Sequence, residues 1–234
     1  MNRIVVVTGA TSGYGLATAK RFHAEGDTVI AVSRNPEKVE KIVRECGFED
    51  GYTLDVTDYD GWVKFREYVL SRYGRVDVLV NNAGGGVRIT SLENFDKAAI
   101  DKTISLNLSS VIYGCSVFAE VFKTQKSGTV INISSVCARH CWSEWSVYAA
   151  AKAGVLNFTK SLYVELRPYG ARATCIIPAA ASTGFQQSAG IGEVSQSLST
   201  DDIASAVLFA ANMPDGAVVQ DMTVWGISQA MDPI

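Results

Sequence analysis

Tyr148 and Lys152 lie four residues apart in Ser146-Val147-Tyr148-Ala149-Ala150-Ala151-Lys152-Ala153-Gly154, a helix-prone stretch, so a phenol and an ammonium share one helix face. A phenol titrates near about 10 and moves protons poorly at neutral pH, but a neighbouring ammonium favours the phenolate and lowers that value. The pair is a candidate general acid/base, with Lys152 tuning Tyr148. Thirteen residues before Tyr148, the apolar run from Thr129 ends in Ser134-Ser135, and the intervening chain is long enough to let Ser135 face Tyr148. A hydroxyl at a strand end beside this pair can hold a carbonyl oxygen while a proton is delivered. Hydrolysis fits poorly: the only histidines are His23 and His140, and there is no G-x-S-x-G elbow. Cys137, His140 and Cys141 have no fourth ligand nearby, so no metal is expected.

A second group of residues suits an anion. Thr8-Gly9-Ala10-Thr11-Ser12-Gly13-Tyr14-Gly15 joins an apolar run to a helical pattern. Glycines there let the backbone turn sharply and approach a phosphate, while free N–H groups and the positive helix end favour negative charge. A pyrophosphate fits, with Gly9, Ser12, Gly13, Tyr14 and Gly15 around it, although the spacing departs from G-x-G-x-x-G. The second apolar run ends at Val32-Ser33-Arg34-Asn35, where a dinucleotide's adenosine ribose would lie. An acidic residue there would bind the ribose hydroxyl of NAD; Ser33 and Arg34 instead offer a hydroxyl and a cationic fork, which favours NADP(H). Arg34 as a solvated surface residue is the alternative. After the third run, Asp55 and Val56 are placed to seat an adenine.

The elements that must position these residues are short Val/Ile-rich runs alternating with longer amphipathic ones, with no repeat or linker between them. Strands are expected at Ile4 to Val7, Thr28 to Ser33, Gly51 to Leu54, Val76 to Val80, Thr129 to Ser134, Arg172 to Ile177 and Val218 to Val224. Several are almost wholly apolar, as in a parallel sheet covered on both faces by helices. The expected fold is a single domain spanning 1–234, α/β, a doubly wound (Rossmann) parallel seven-stranded sheet whose ligands bind beyond the strands' carboxyl ends. Stripes such as Trp62, Phe65, Val69 and Ile104, Leu108, Val111 read as helix faces packed on it.

The 234 residues are 47% hydrophobic, which excludes disorder, and carry 21 Lys plus Arg against 24 Asp plus Glu, with no basic stripe for nucleic acid. No apolar stretch is expected to reach the roughly 18 to 20 residues of a membrane span, and a cytoplasmic location is the default. Cys46, Cys115, Cys137, Cys141 and Cys175 are odd in number, without disulfide spacing, and are expected to be reduced.

Together these motifs resemble the short-chain dehydrogenase/reductase family over nearly the whole chain. Its T-G-x-x-x-G-x-G is similar to Thr8 to Gly15, its N-N-A-G to Asn81-Asn82-Ala83-Gly84, and its Y-x-x-x-K to Tyr148 to Lys152. The resemblance maps the catalytic serine to Ser135 and the helix asparagine to Asn107. It implies hydride transfer between a nicotinamide and a carbonyl carbon. Tyr148 would be the general acid/base, Lys152 would bind the nicotinamide ribose, Ser135 would orient the substrate oxygen, and Asn107 would hold a relay water. Asn82, Ala83 and Gly84 would line the cofactor, as would Pro178 and Thr183 in Pro178-Ala179-Ala180-Ala181-Ser182-Thr183, where Ala179 replaces a family glycine. The family's last-strand V-D-G-G reads Thr223-Val224-Trp225-Gly226, a departure expected to alter a subunit contact. A homotetramer or homodimer is implied, built on the long helices around Ile104 to Phe122 and Ser146 to Leu166.

The family's substrate loop corresponds to 184–199, which is short and carries Phe185 and Leu198, fitting a small substrate. Arg88, Arg139, Trp142, His140 and Trp145 flank the motifs; Arg88 or Arg139 would clamp a carboxylate or sulfonate, or else be solvated. The Tyr14-bearing turn and short loop are similar to NADP-dependent 3-hydroxy-acid dehydrogenases of the family. The expected function is therefore an NADP(H)-dependent reductase of a small aldehyde or ketone, with or without an acidic group. Its alternatives are oxidation of a hydroxy acid or sugar alcohol, and an NADP(H)-sensing regulatory module without turnover.

Overall fold

Strand β1 (Ile4–Thr8) is buried on both faces, with Val5, Val6 and Val7 at 0% exposure, because helices cover the sheet above and below. The same holds for β2 (Thr28–Ser33) and β4 (Val78–Asn81), while β3 (Asp50–Thr53), at one edge, is only partly buried. The computed structural model describes residues 2–85, 88–180, 185 and 198–229. Its sheet continues with β5 (Gly128–Ile133), β6 (Ala171–Pro178) and β7 (Asp221–Val224) in the order β3-β2-β1-β4-β5-β6-β7, every pair parallel. The chain winds outward from β1 to β3, then crosses over to β4 and winds the other way. That reversal opens a crevice beyond the carboxyl ends of β1 and β4, the usual ligand position in such sheets.

Helix α1 (Gly13–Ala24) packs against α7 (Thr200–Ala211); α2 (Pro36–Cys46) packs on β2 and β3. The other helices are α3 (Tyr59–Tyr73), α4 (Lys97–Ile104), α5 (Ser110–Gln125) and α6 (Ser146–Leu166). Trp62, Phe65 and Phe118 form an edge-to-face cluster between α3 and α5, which buries the first expected stripe; in the second, Val111 is buried while Ile104 and Leu108 are only partly so. Buried amides add direction: Asn81 Nδ2 donates to Asn132 Oδ1 at 2.9 Å, and Asn132 Nδ2 to Thr159 Oγ1 at 2.9 Å, tying β4, β5 and α6 together.

Two expectations are corrected. Strand β7 begins at Asp221 rather than Val218, because the Arg172 guanidinium draws the carbonyls of Met213, Pro214 and Ala217 (2.6, 2.9 and 3.0 Å) and holds the preceding segment out of the ladder. The continuous helical run Lys97–Gln125 is long and apolar enough to cross a membrane by length and composition. In this fold Val111, Cys115, Phe118 and Phe122 turn one side of it into the core.

Candidate active site

The glycine-rich turn and the N-N-A-G segment are held as one unit by Thr8. Its Oγ1 accepts from the N–H of Asn82 and of Ala83, both at 3.0 Å, and Asn82 Nδ2 donates back to the Thr8 carbonyl at 2.8 Å. The sequence places Thr8 at the head of the glycine-rich motif but not its role, which depends on a partner 74 residues away. The backbones approach so closely that a Cβ at Gly15 would collide with the Gly9 carbonyl oxygen and with Asn82 Nδ2, and Gly9 has φ +67. Ser12 makes no side-chain cap at α1, leaving the first-turn N–H groups available to an anion. This is a cradle suited to a pyrophosphate.

Along the same rim, Ser33 Oγ lies 3.2 Å from Thr11 Oγ1, and the exposed Arg34 follows it. The Thr57 N–H and hydroxyl hold the Asp55 carboxyl below the usual carboxylate range, aided by the Arg34 charge against a smaller burial effect. Arg34 and Asp55 therefore face one space, with Val56 buried beneath.

At the carboxyl end of β5 the two serines divide. Ser134 is buried, and its hydroxyl donates to the Lys152 carbonyl at 2.8 Å; Ser135 accepts from the Cys137 N–H at 3.2 Å and stands near enough to Tyr148 to act on its phenol. Tyr148 is 7% exposed. Burial pushes its phenol well above the ordinary tyrosine value, with nearby Cys137 adding to the rise and the Ser135 hydroxyl opposing it. The expected lowering by Lys152 does not appear. Lys152 Nζ sits 5.8 Å from the Tyr148 ring centre and donates to the Ile133 carbonyl at 3.0 Å, and burial lowers its own pKa to about 8.

Asn107 lies in a single π-turn, Ser105–Ser109, between α4 and α5, a widening common at functional sites. It is fully buried; Oδ1 accepts from the Gly85 N–H at 3.0 Å, and Nδ2 donates to the carbonyls of Gly85 and Thr103 at 3.0 and 3.1 Å. A Cβ at Gly84 would sit 3.0 Å from Asn107 Oδ1 and 3.4 Å from Lys152 Nζ, so those two groups converge there. Helix α6 comes this near because Gly154 lets it press on Leu108 of the π-turn.

Tyr14 reaches from the start of α1 to the end of β6, its hydroxyl 3.5 Å from the Ala179 carbonyl, and burial raises its pKa. Pro178 ends β6; Thr183 and all of 184–199 except Phe185, Leu198 and Ser199 lie outside the described residues. Arg139 turns away from Tyr148: its guanidinium donates to Asp221 at 2.5 Å and Thr223 at 2.8 Å. Arg88 is exposed, and Trp142 packs 6.1 Å from His140, which also meets Trp225 at 5.5 Å. Phe185 stacks on Trp145, and both rings meet Tyr148. Among the described residues no three His, Cys, Asp or Glu side chains are grouped as a metal would need.

A family model described as short chain dehydrogenase matches residues 3–193. Tropinone reductase-like 2 of Erythroxylum coca is 30% identical over 231 residues, covering 90% of this chain and 84% of that protein. The 3-oxoacyl-[acyl-carrier-protein] reductase FabG of Thermotoga maritima is 36% identical over 180 residues, covering 75% and 73%. Among solved structures, an alcohol dehydrogenase from the archaeon Thermococcus sibiricus complexed with 5-hydroxy-NADP superimposes with a TM-score of 0.90 at 26% identity, covering 99% of this chain and 100% of that one.

Proposed function

The chain belongs to the short-chain dehydrogenase family of oxidoreductases, and from that premise we propose that it is an NADP(H)-dependent carbonyl reductase or alcohol dehydrogenase acting on a small molecule. The observation that carries the reading is the buried Tyr148, beside Ser135, on the helix that brings Lys152 to Asn107. When bound, the dinucleotide supplies a hydride to a carbonyl carbon or takes one from an alcohol.

In reduction, the Tyr148 hydroxyl gives its proton to the substrate oxygen, which Ser135 holds by a hydrogen bond; in oxidation the phenol takes the proton back. Lys152 binds the nicotinamide ribose hydroxyls, and its ammonium favours the developing phenolate once that ribose lies between them. Asn107 holds a water that passes the proton onward from Lys152. Gly9, Ser12, Gly13, Tyr14 and Gly15 bind the pyrophosphate, and Ser33 and Arg34 the 2′-phosphate. Asp55 and Val56 seat the adenine. Asn82, Ala83, Gly84, Pro178 and Thr183 line the nicotinamide side. Arg34 beside an uncharged Ser33, where an NAD-binding site would place an acid, supports NADP(H) over NAD(H).

The same proposal includes a cytoplasmic, homotetrameric or homodimeric enzyme. Less than half of the apolar window within Lys97–Gln125 is buried in one subunit, at 39%, which leaves a face for a second copy. A regulatory sensor would not need the convergence of Asn107, Lys152 and Tyr148. Absorbance at 340 nm, followed with NADPH and NADH in parallel over a panel of small aldehydes and ketones, tests the reading. Turnover with NADPH is expected; nucleotide binding with no turnover on any carbonyl would favour the sensor.

A further inference from the structure

The indole of Trp145 and the ring of Phe185 are parallel within 9°, their centroids 6.0 Å apart, and each meets the Tyr148 ring at a steep angle, at 5.7 and 5.4 Å. Three rings thus make one apolar wall beside the hydroxyl that handles the proton. Trp145 and Phe185 are both only partly buried, so the wall keeps an accessible surface. Such surfaces recognise another ring by edge and offset contacts.

Two charged groups of the described residues adjoin the wall: the Lys152 ammonium, 5.8 Å from the Tyr148 ring centre, is held by the Ile133 carbonyl at 3.0 Å, and Glu144 stands at the head of α6. Arg139, six residues before Trp145, is paired with Asp221 and hydrogen-bonded to Thr223. Glu144, which directly precedes Trp145, is exposed; its carboxylate accepts from the Ser91 hydroxyl at 3.4 Å and its carbonyl from the Thr90 N–H at 3.3 Å. Its φ is +72, in the left-handed region where glycine or asparagine is usual, so the turn carries a carboxylate at a position whose backbone disfavours one.

Building on the oxidoreductase reading above, we propose that Trp145, Phe185 and Glu144 select a ketone or aldehyde whose carbonyl bears an uncharged ring, and that they turn carboxylates away. The ring lies against Trp145 and Phe185 with its carbonyl oxygen at Tyr148. A carboxylate on that ring would lose water against the apolar wall and face Glu144, with Arg139 already engaged. This replaces the acidic substrate expected from Arg88 and Arg139 with a neutral one.

The test compares 4-methylacetophenone with 4-acetylbenzoate, which share a shape and differ in charge. Each is assayed for NADPH oxidation with the wild type, Trp145→Ala, Trp145→Phe and Glu144→Gln, and titrated by intrinsic tryptophan fluorescence with the wild type. The wild type is expected to favour the neutral ketone at least about tenfold in kcat/KM, the scale of a well-used apolar contact. Trp145→Ala should raise the KM for that ketone by about tenfold with a smaller change in kcat, Trp145→Phe should recover most of the loss, and Glu144→Gln should narrow the preference. Equal or reversed preference, or an unchanged KM in Trp145→Ala, overturns the inference and leaves the oxidoreductase reading standing. Tighter binding of the neutral ketone without turnover of either compound supports the inference and overturns that reading. Absence of both turnover and preferential binding overturns both.

Discussion

Lys152 Nζ donates to the carbonyl of Ile133 at 3.0 Å, at the end of the strand that carries Ser134 and Ser135. One hydrogen bond thus ties helix α6 to the end of β5, where the chain runs on into Ser134 and Ser135. The Ser134 hydroxyl returns the tie by donating to the Lys152 carbonyl at 2.8 Å. Tyr148 and Ser135 are held in mutual reach by this pair, although neither takes part in it.

Burial that lowers the Lys152 pKa to about 8 has a consequence for stability. The unfolded ammonium titrates near about 10.4, so between these values the unfolded chain binds the extra proton and stability rises with pH. Below about 8 the lysine is charged in both states, and the penalty of burying the charge is fully present. Lys152→Met removes this term. Urea midpoints of the cofactor-free protein, measured from pH 7 to 10, should rise more steeply for the wild type than for Lys152→Met; parallel curves would contradict the assignment.

Arg34→Asp places a carboxylate where the 2′-phosphate is proposed to lie, beside the ionised Asp55. The ratio of kcat/KM for NADPH over NADH should fall by at least about a hundredfold, since a charge-assisted fork is lost and a repulsion gained. Steady-state kinetics with both nucleotides read this directly, and an unchanged ratio would place the phosphate elsewhere.

The sheet was legible in the sequence because uninterrupted runs such as Val5-Val6-Val7 and Val29-Ile30-Ala31-Val32 have few other stable arrangements than a covered parallel strand. The spacing of Tyr148 and Lys152 was legible for the same local reason. What escaped was set by distant partners. The guanidinium that holds the segment before Asp221 out of β7 belongs to Arg172, 41 to 45 residues from the carbonyls it binds. The Asp221 that engages Arg139 is 82 residues from it. The expectation that Lys152 would lower the Tyr148 pKa followed from their shared helix face, but the depth at which α6 buries both is a property of packing, and desolvation is the largest cause of the shift in each. The π-turn that sets Asn107 has no compositional mark: Ser105-Leu106-Asn107-Leu108-Ser109 reads as ordinary helix.

The central claim is that the Tyr148 hydroxyl carries the proton in a hydride-transfer reaction. NADPH oxidation by Tyr148→Phe, compared with the wild type on the best carbonyl of the panel, tests it most directly. The account predicts that kcat falls by about 10² to 10⁴-fold, the usual size of a general acid's contribution, while NADPH affinity by fluorescence titration stays within about twofold, since the phenol oxygen lies outside the pyrophosphate cradle. Retention of wild-type kcat by Tyr148→Phe would contradict it.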